Sequence, residues 1–121
     1  MPSNYESYQS ITRIAGEDLS AGQYRFLKVN SSGEVVKAGN GERAVLVAVG
    51  KAEEDKALEC AFSGRVLVVL GATVAAGADV QSDANGACIT QASTGIVCGT
   101  ALEGGVAGDV VSILFAPQGA P

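Results

Sequence analysis

A duplication runs through nearly all of the chain after its first fifteen residues, and it restricts the fold to one assembled from two similar units. Leu19-Ser20-Ala21-Gly22 matches Val74-Ala75-Ala76-Gly77 at an offset of 55, and Asn30-Ser31-Ser32-Gly33 matches Asp83-Ala84-Asn85-Gly86 at an offset of 53. The shift implies a two-residue deletion between these landmarks. Ala48 then pairs with Ala101, and Ala57-Leu58-Glu59-Cys60-Ala61-Phe62 with Val110-Val111-Ser112-Ile113-Leu114-Phe115, again at 53. Two copies are too few for a solenoid, which needs at least three stacked units to bury a continuous core. The pattern instead describes one domain, residues 17–121, with approximate two-fold character and halves at about 17–70 and 71–116.

Each half reads as β. Val45, Val47 and Val49 alternate, as do Leu58, Cys60 and Phe62, then Val66, Val68 and Leu70. Val111, Ile113 and Phe115 repeat the pattern in the second half. A period of two places one face of a strand inward. Short strands separated by glycine-containing turns predict an all-β, compact, barrel-like domain. Sixteen glycines would destabilise long helices and count against a helical fold.

The turns have their own chemistry. Asn30 or Asp83 at the first position and Gly33 or Gly86 at the fourth fit a type I turn, with the side-chain oxygen capping the backbone and glycine left-handed after it. Gly22 and Gly77, in the recurring apolar-x-Ala-Gly pattern, are read as structural turn positions where the backbone approaches a neighbouring strand closely. Lys51 to Leu58 (KAEEDKAL) is rich in helix formers, but its counterpart Gly104-Gly105-Val106-Ala107-Gly108 cannot hold a helix comfortably. The segment is therefore read as a solvent-exposed connection with room for a single helical turn.

Residues 1–16 stand outside the duplication and read as an extended N-terminal arm, with Tyr5 and Tyr8 ahead of the alternating Ile11, Arg13 and Ala15. Such an arm suits pairing with a sheet edge on another chain, where main-chain hydrogen bonds attach it and side chains set register. A frayed terminus explains the same composition equally well.

Composition excludes several kinds of function. Apolar residues are 47% of the 121 and charged ones 17%, enough apolar surface to offset the entropy of ordering. The formal net charge is −5 and the eight basic side chains are scattered, so no footprint for a nucleic-acid backbone exists. No apolar run reaches bilayer length, and the polar start, Met1 to Ser10, lacks the order of a secretion signal; synthesis in a cytoplasm is expected, without membrane attachment. Histidine is absent, which removes the usual general base near neutral pH and the commonest metal ligand. Cys60, Cys88 and Cys98 are odd in number, lack CxxC spacing, and read as small buried apolar residues. Glu53-Glu54-Asp55 lacks calcium-loop spacing, and Gly99 to Gly104 lacks the order of a phosphate-binding loop. Ser63, Ser93 and Thr94 offer hydroxyls without a histidine to activate them; a Ser-Lys pairing stays open, with no local motif for it. No enzyme activity, metal or cofactor is expected.

Taken together, the apolar-x-Ala-Gly turns, the Asn/Asp-x-x-Gly hairpins and Gly99-Thr100-Ala101-Leu102-Glu103, followed by Ala107-Gly108-Asp109-Val110-Val111-Ser112-Ile113, resemble a family of tailed-phage capsid decoration (cement) proteins of the lambda-like head decoration type. The resemblance spans residues 11 to 116. It implies a β-clip or barrel-like module that joins the outer surface of an expanded shell of major capsid protein, acts as a homotrimer and stabilises the shell. Under this resemblance Tyr5, Tyr8, Ile11, Arg13 and Ile14 of the arm are the candidate capsid-contacting residues, and removal of residues 1 to 15 should leave a folded core that attaches weakly. The alternative is a virion-surface adhesin or carbohydrate-binding module, which usually wants exposed aromatic platforms. The chain has no tryptophan, three tyrosines and three phenylalanines. An enzyme-associated β-clip domain is the third reading, weakened by the missing histidine.

Overall fold

The computed structural model describes residues 8–92 and 94–117. Among them are nine strands and no helix: β1 (Tyr8–Ile14), β2 (Phe26–Val29), β3 (Val35–Lys37), β4 (Leu46–Ala48), β5 (Ala57–Val69), β6 (Asp79–Ser82), β7 (Cys88–Thr90), β8 (Gly99–Ala101) and β9 (Val110–Phe115). All pair antiparallel in one curled, barrel-like sheet of order β3-β2-β4-β5-β9-β8-β6-β7, with β1 paired to β5. The sheet forms because the chain alternates apolar and polar residues between turns that reverse it.

The duplication is visible residue by residue in the pairing. Leu27 faces Lys37 as Val80 faces Thr90, and Ala48 faces Cys60 as Ala101 faces Ile113. The hairpin turns match as closely. The Asn30 side-chain oxygen accepts from the N–H groups of Ser32 and Glu34 at 2.9 and 3.0 Å. That of Asp83 accepts from Asn85 and Ala87 at 2.8 and 2.9 Å. Gly33 and Gly86 follow at φ +81° and +80°, the left-handed region that a Cβ makes costly. At the apolar-x-Ala-Gly turns the halves diverge. Gly77 has φ +86° and donates its N–H to the Ala101 carbonyl, and its counterpart is Tyr24, at φ +67° and donating to the Ala48 carbonyl. Leu19 and Val74 bridge to Ala52 and Gly105. The extra two residues of the first half therefore fall between Leu19 and Tyr24, around Gly22.

Residues 8–14, read from the sequence as part of an arm outside the duplication, form β1 on β5 of the same chain. Their register extends the repeat: Ile11 faces Cys60 as Val66 faces Ile113, and Arg13 faces Leu58 as Val68 faces Val111. The thirteen-residue β5 thus belongs to both halves, closing the first with its beginning and opening the second with its end. Ala15 is fully buried next to β1. Deleting residues 1 to 15 would strip β5 of a neighbour along Ala57–Gly64 and open a core, so that truncation removes part of the fold.

Two other expectations change. Phe62 is exposed rather than inward, because the ladder skips it: Ser10 faces Ala61 and Gln9 faces Ser63. The bulge switches the buried side of β5 from Leu58 and Cys60 to Val66 and Val68. Lys51 to Leu58 contains no helical turn; Ala52 bridges to Leu19 and Asp55 turns the chain at φ +71°, as Gly108 does at +92°.

The core has two parts. The smaller lies inside the first half and holds Ala15, Leu19, Leu27, Val35, Leu46, Ala48, Leu58 and Cys60. The larger combines the second half's own interior with Phe26, Ala38, Ala44, Val47 and Ala61 from the first half.

Candidate interaction surface

Strand β1 carries alternating side chains to its two sides, and the sequence-nominated residues divide between them. Ile11 and Arg13 share a side with Cys60 and Leu58, at the mouth of the smaller core. Ile14 faces Ala57 on the other side, with Ser10 and Thr12. Tyr8 reaches this side too, where its hydroxyl donates to the Glu59 carboxylate at 3.3 Å. Ile11 and Ile14 are exposed although large and apolar, and Phe62 is a third exposed apolar side chain nearby. An Arg13 Nη donates to the Gly33 carbonyl and ties β1 to the first hairpin turn. Tyr5 lies outside the described residues.

Where the halves meet, a groove of about 370 Å³ opens between Tyr8, Tyr24, Val49 and Leu67, with Gln23 and Arg65 as polar lining. It exists because the first half's sheet is laid over the second with the bulge of β5 between them.

A second exposed apolar area covers the outward side of the second half. Leu67, Val110 and Leu114 rise from β5 and β9, and Leu102 follows β8. Arg65 faces Leu114, and Leu114 faces Thr100. Within this area the Glu103 carboxylate accepts from the Ser112 N–H at 2.8 Å and hydroxyl at 3.0 Å, hydrogen bonds that hold its carboxyl below the usual range. The area was not singled out from sequence. Its signal was present in Val66 to Leu70 and Val110 to Phe115, which are apolar at nearly every position, whereas a strand with one wet face alternates.

Among the described residues little else offers chemistry. The three cysteines are buried and unpaired, and burial pushes the Cys60 thiol up to about 11 and that of Cys88 to about 12. Such thiols stay protonated and make poor nucleophiles and metal ligands. No group of three or more metal-ligating side chains occurs among the described residues. Glu53, Glu54 and Asp55 are solvated on their turn. The exposed apolar side chains of β1 and of the second half's outward side are the features of the described surface most suited to contact with another macromolecule.

No protein-family model matches the chain, and no curated protein matches it. Among solved structures it is similar to the N base of head fiber gp8.5 of bacteriophage phi29, with a TM-score of 0.73 over 89% of this chain and 93% of that one, at 18% identity. The likeness is one of fold.

Proposed function

We propose that the protein is a phage capsid decoration protein, which binds the outer surface of the expanded shell of major capsid protein and stabilises it as a homotrimer on the virion. The observation that carries this reading is the fold shared, over 89% of this chain, with a protein named as the N base of a phage head fiber. The exposed apolar side chains of β1 fit the same role. In this reading residues 1–16 attach and residues 17–121 form the body, with Tyr5, Tyr8, Ile11, Arg13 and Ile14 meeting the shell. A trimer engages three capsid sites at once, so effective concentration raises avidity far above the affinity of one subunit. No catalytic step is part of the proposal.

The test is cosedimentation of the full chain with expanded, undecorated capsids and with unexpanded procapsids. Saturable binding to the expanded shell alone supports the reading, and Ile14→Asp should weaken it at least tenfold without lowering the melting temperature. Binding to neither shell defeats it. The tyrosine-lined groove at Tyr8 and Tyr24 would then make sugar recognition the reading to pursue, by glycan-array screening.

A further inference from the structure

The two halves meet head to tail. The outward side of the first half, at Phe26, Val47 and Ala61, packs on the inward side of the second, at Val66, Val68 and Phe115, and all six are buried. The rings of Phe26 and Phe115 stack with centroids 6.1 Å apart, and the Phe26 N–H donates to the Gly86 carbonyl at 2.7 Å. A contact between unlike surfaces uses one of each and leaves one of each over. The unused outward side belongs to the second half, where Asp79, Thr100 and Leu114 stand at the positions of Phe26, Val47 and Ala61, and Leu102 at that of Val49. The unused inward side belongs to the first half, where Ile11 and Arg13 stand for Val66 and Val68, and Val29 for Ser82. Leu114 is 49% exposed and Leu102 46%; across from them Ile11 is 44% and Val29 46%.

The replacements are complementary. Where the internal contact joins apolar groups, the leftover surfaces carry Asp79 in place of Phe26 and Arg13 in place of Val68. Arg13 already donates to the Gly33 carbonyl, the counterpart of the Gly86 carbonyl that receives the Phe26 N–H. Docking by the same geometry would therefore bring the Asp79 carboxylate to the Arg13 guanidinium and lay Leu114 and Leu102 over Ile11, with Val29 against Gln91, the counterpart of Ala38, whose carbonyl accepts from the Ser82 hydroxyl.

We infer that a second copy of this chain occupies these surfaces: the outward side of one copy's second half docks on the inward side of the next copy's first half, repeating between chains the contact made within each. This deepens the capsid reading and rests on it only for the closure of the series into a ring of three. Of the residues given to the shell in the capsid reading, it reassigns Ile11 and Arg13 to the neighbouring copy and leaves Tyr8 and Ile14 to the shell.

The test is the solution mass of the full chain by analytical ultracentrifugation, read without any capsid. The wild type should exceed the mass of one chain. Leu114→Asp and Ile11→Asp should each reduce assembly to single chains that still unfold cooperatively and at a common melting temperature, because both positions are exposed and both variants lose the same contact. Leu102→Asp and Val29→Asp repeat the test at independent positions. Mixing a Leu114→Asp chain with an Ile11→Asp chain should give a one-to-one pair, since each keeps the surface that the other has lost. A wild type that stays monomeric at its highest soluble concentration, single variants that remain assembled, or a mixture that does not pair would overturn the inference. Arg13→Asp and Asp79→Arg should each weaken assembly at least fivefold and together, in one chain, restore it. A wild type that binds the shell yet stays a single chain would reject this inference alone; a wild type that assembles yet binds neither shell would reject only the capsid reading.

Discussion

The first and second halves share their strand order, register and turn chemistry, yet they bury different things. In the first half the inward side closes over a small core, while its outward side, through Phe26 and Val47, is buried under the second half. In the second half the inward side is completed by its partner, and the outward side, with Leu114 and Leu102, faces solvent. Backbone pairing and side-chain burial are therefore set separately. Turns and hydrogen-bond ladders repeat a scaffold, and the residues between them decide which side is covered.

The largest effect that can break this comparison is at its least conservative pair. Phe26→Ala should destabilise the protein by about 3–5 kcal/mol, as for other buried aromatic truncations. Asp79→Ala, at the equivalent exposed position, should stay within about 0.5 kcal/mol. Denaturant titration of both variants reads the difference, and similar midpoints would show that the two positions are not the unequal partners described above.

The next effect separates two turns that look alike. Gly33→Ala and Gly86→Ala both place a Cβ in the left-handed region, at a cost on the order of 1–3 kcal/mol. The Gly86 variant should lose more. Its Cβ would lie 2.8 Å from the Phe26 carbonyl oxygen, whereas at Gly33 the nearest atom is an Arg13 guanidinium nitrogen at 3.3 Å, which can turn aside. Thermal melts of the two variants decide this, with equal losses counting against a tighter turn in the second half.

The smallest effect compares the two cores through their thiols. Because both folded-state values are raised, the protonated thiols contribute stability that is present in full below the ordinary value of 9 and falls away as pH climbs toward about 11 for Cys60 and 12 for Cys88. Stability should therefore decline above pH 9. Cys60→Ala and Cys88→Ala should each flatten that decline to a similar degree up to about pH 11, with the effect of Cys88→Ala extending further, and an unchanged slope in both would mean that other groups govern the alkaline limb.

The fold class was legible because Val66 to Leu70 and Val110 to Phe115 are short apolar runs, rich in β-branched residues and bounded by glycine-containing turns, too short for helices and suited to strands. The place of β1 was not. Tyr8 to Gly16 share little more than the final glycine with Ser63 to Gly71, and the equivalence exists in hydrogen-bond register, which side-chain identity does not record. Phe62 misled for a related reason, since a bulge changes parity without leaving a mark in composition. Among the surface residues, exposure at Ile11 and Ile14 depends on what covers β1, and the outward leucines of the second half look in sequence like core. Alternation says which residues share a side; only the stacking of one half on the other says which side is wet.

Gly64 has a position whose mechanical meaning follows from the ladder. It faces Tyr8 on one neighbouring strand and Phe115 on the other. Adjacent strands lie about 4.8 Å apart, so Tyr8 and Phe115 sit roughly 10 Å from each other across the middle of β5. Tension between whatever precedes Tyr8 and whatever follows Phe115 would run through three adjacent strands at a single level, and the hairpin tips at Asn30 and Asp83 would carry none of it.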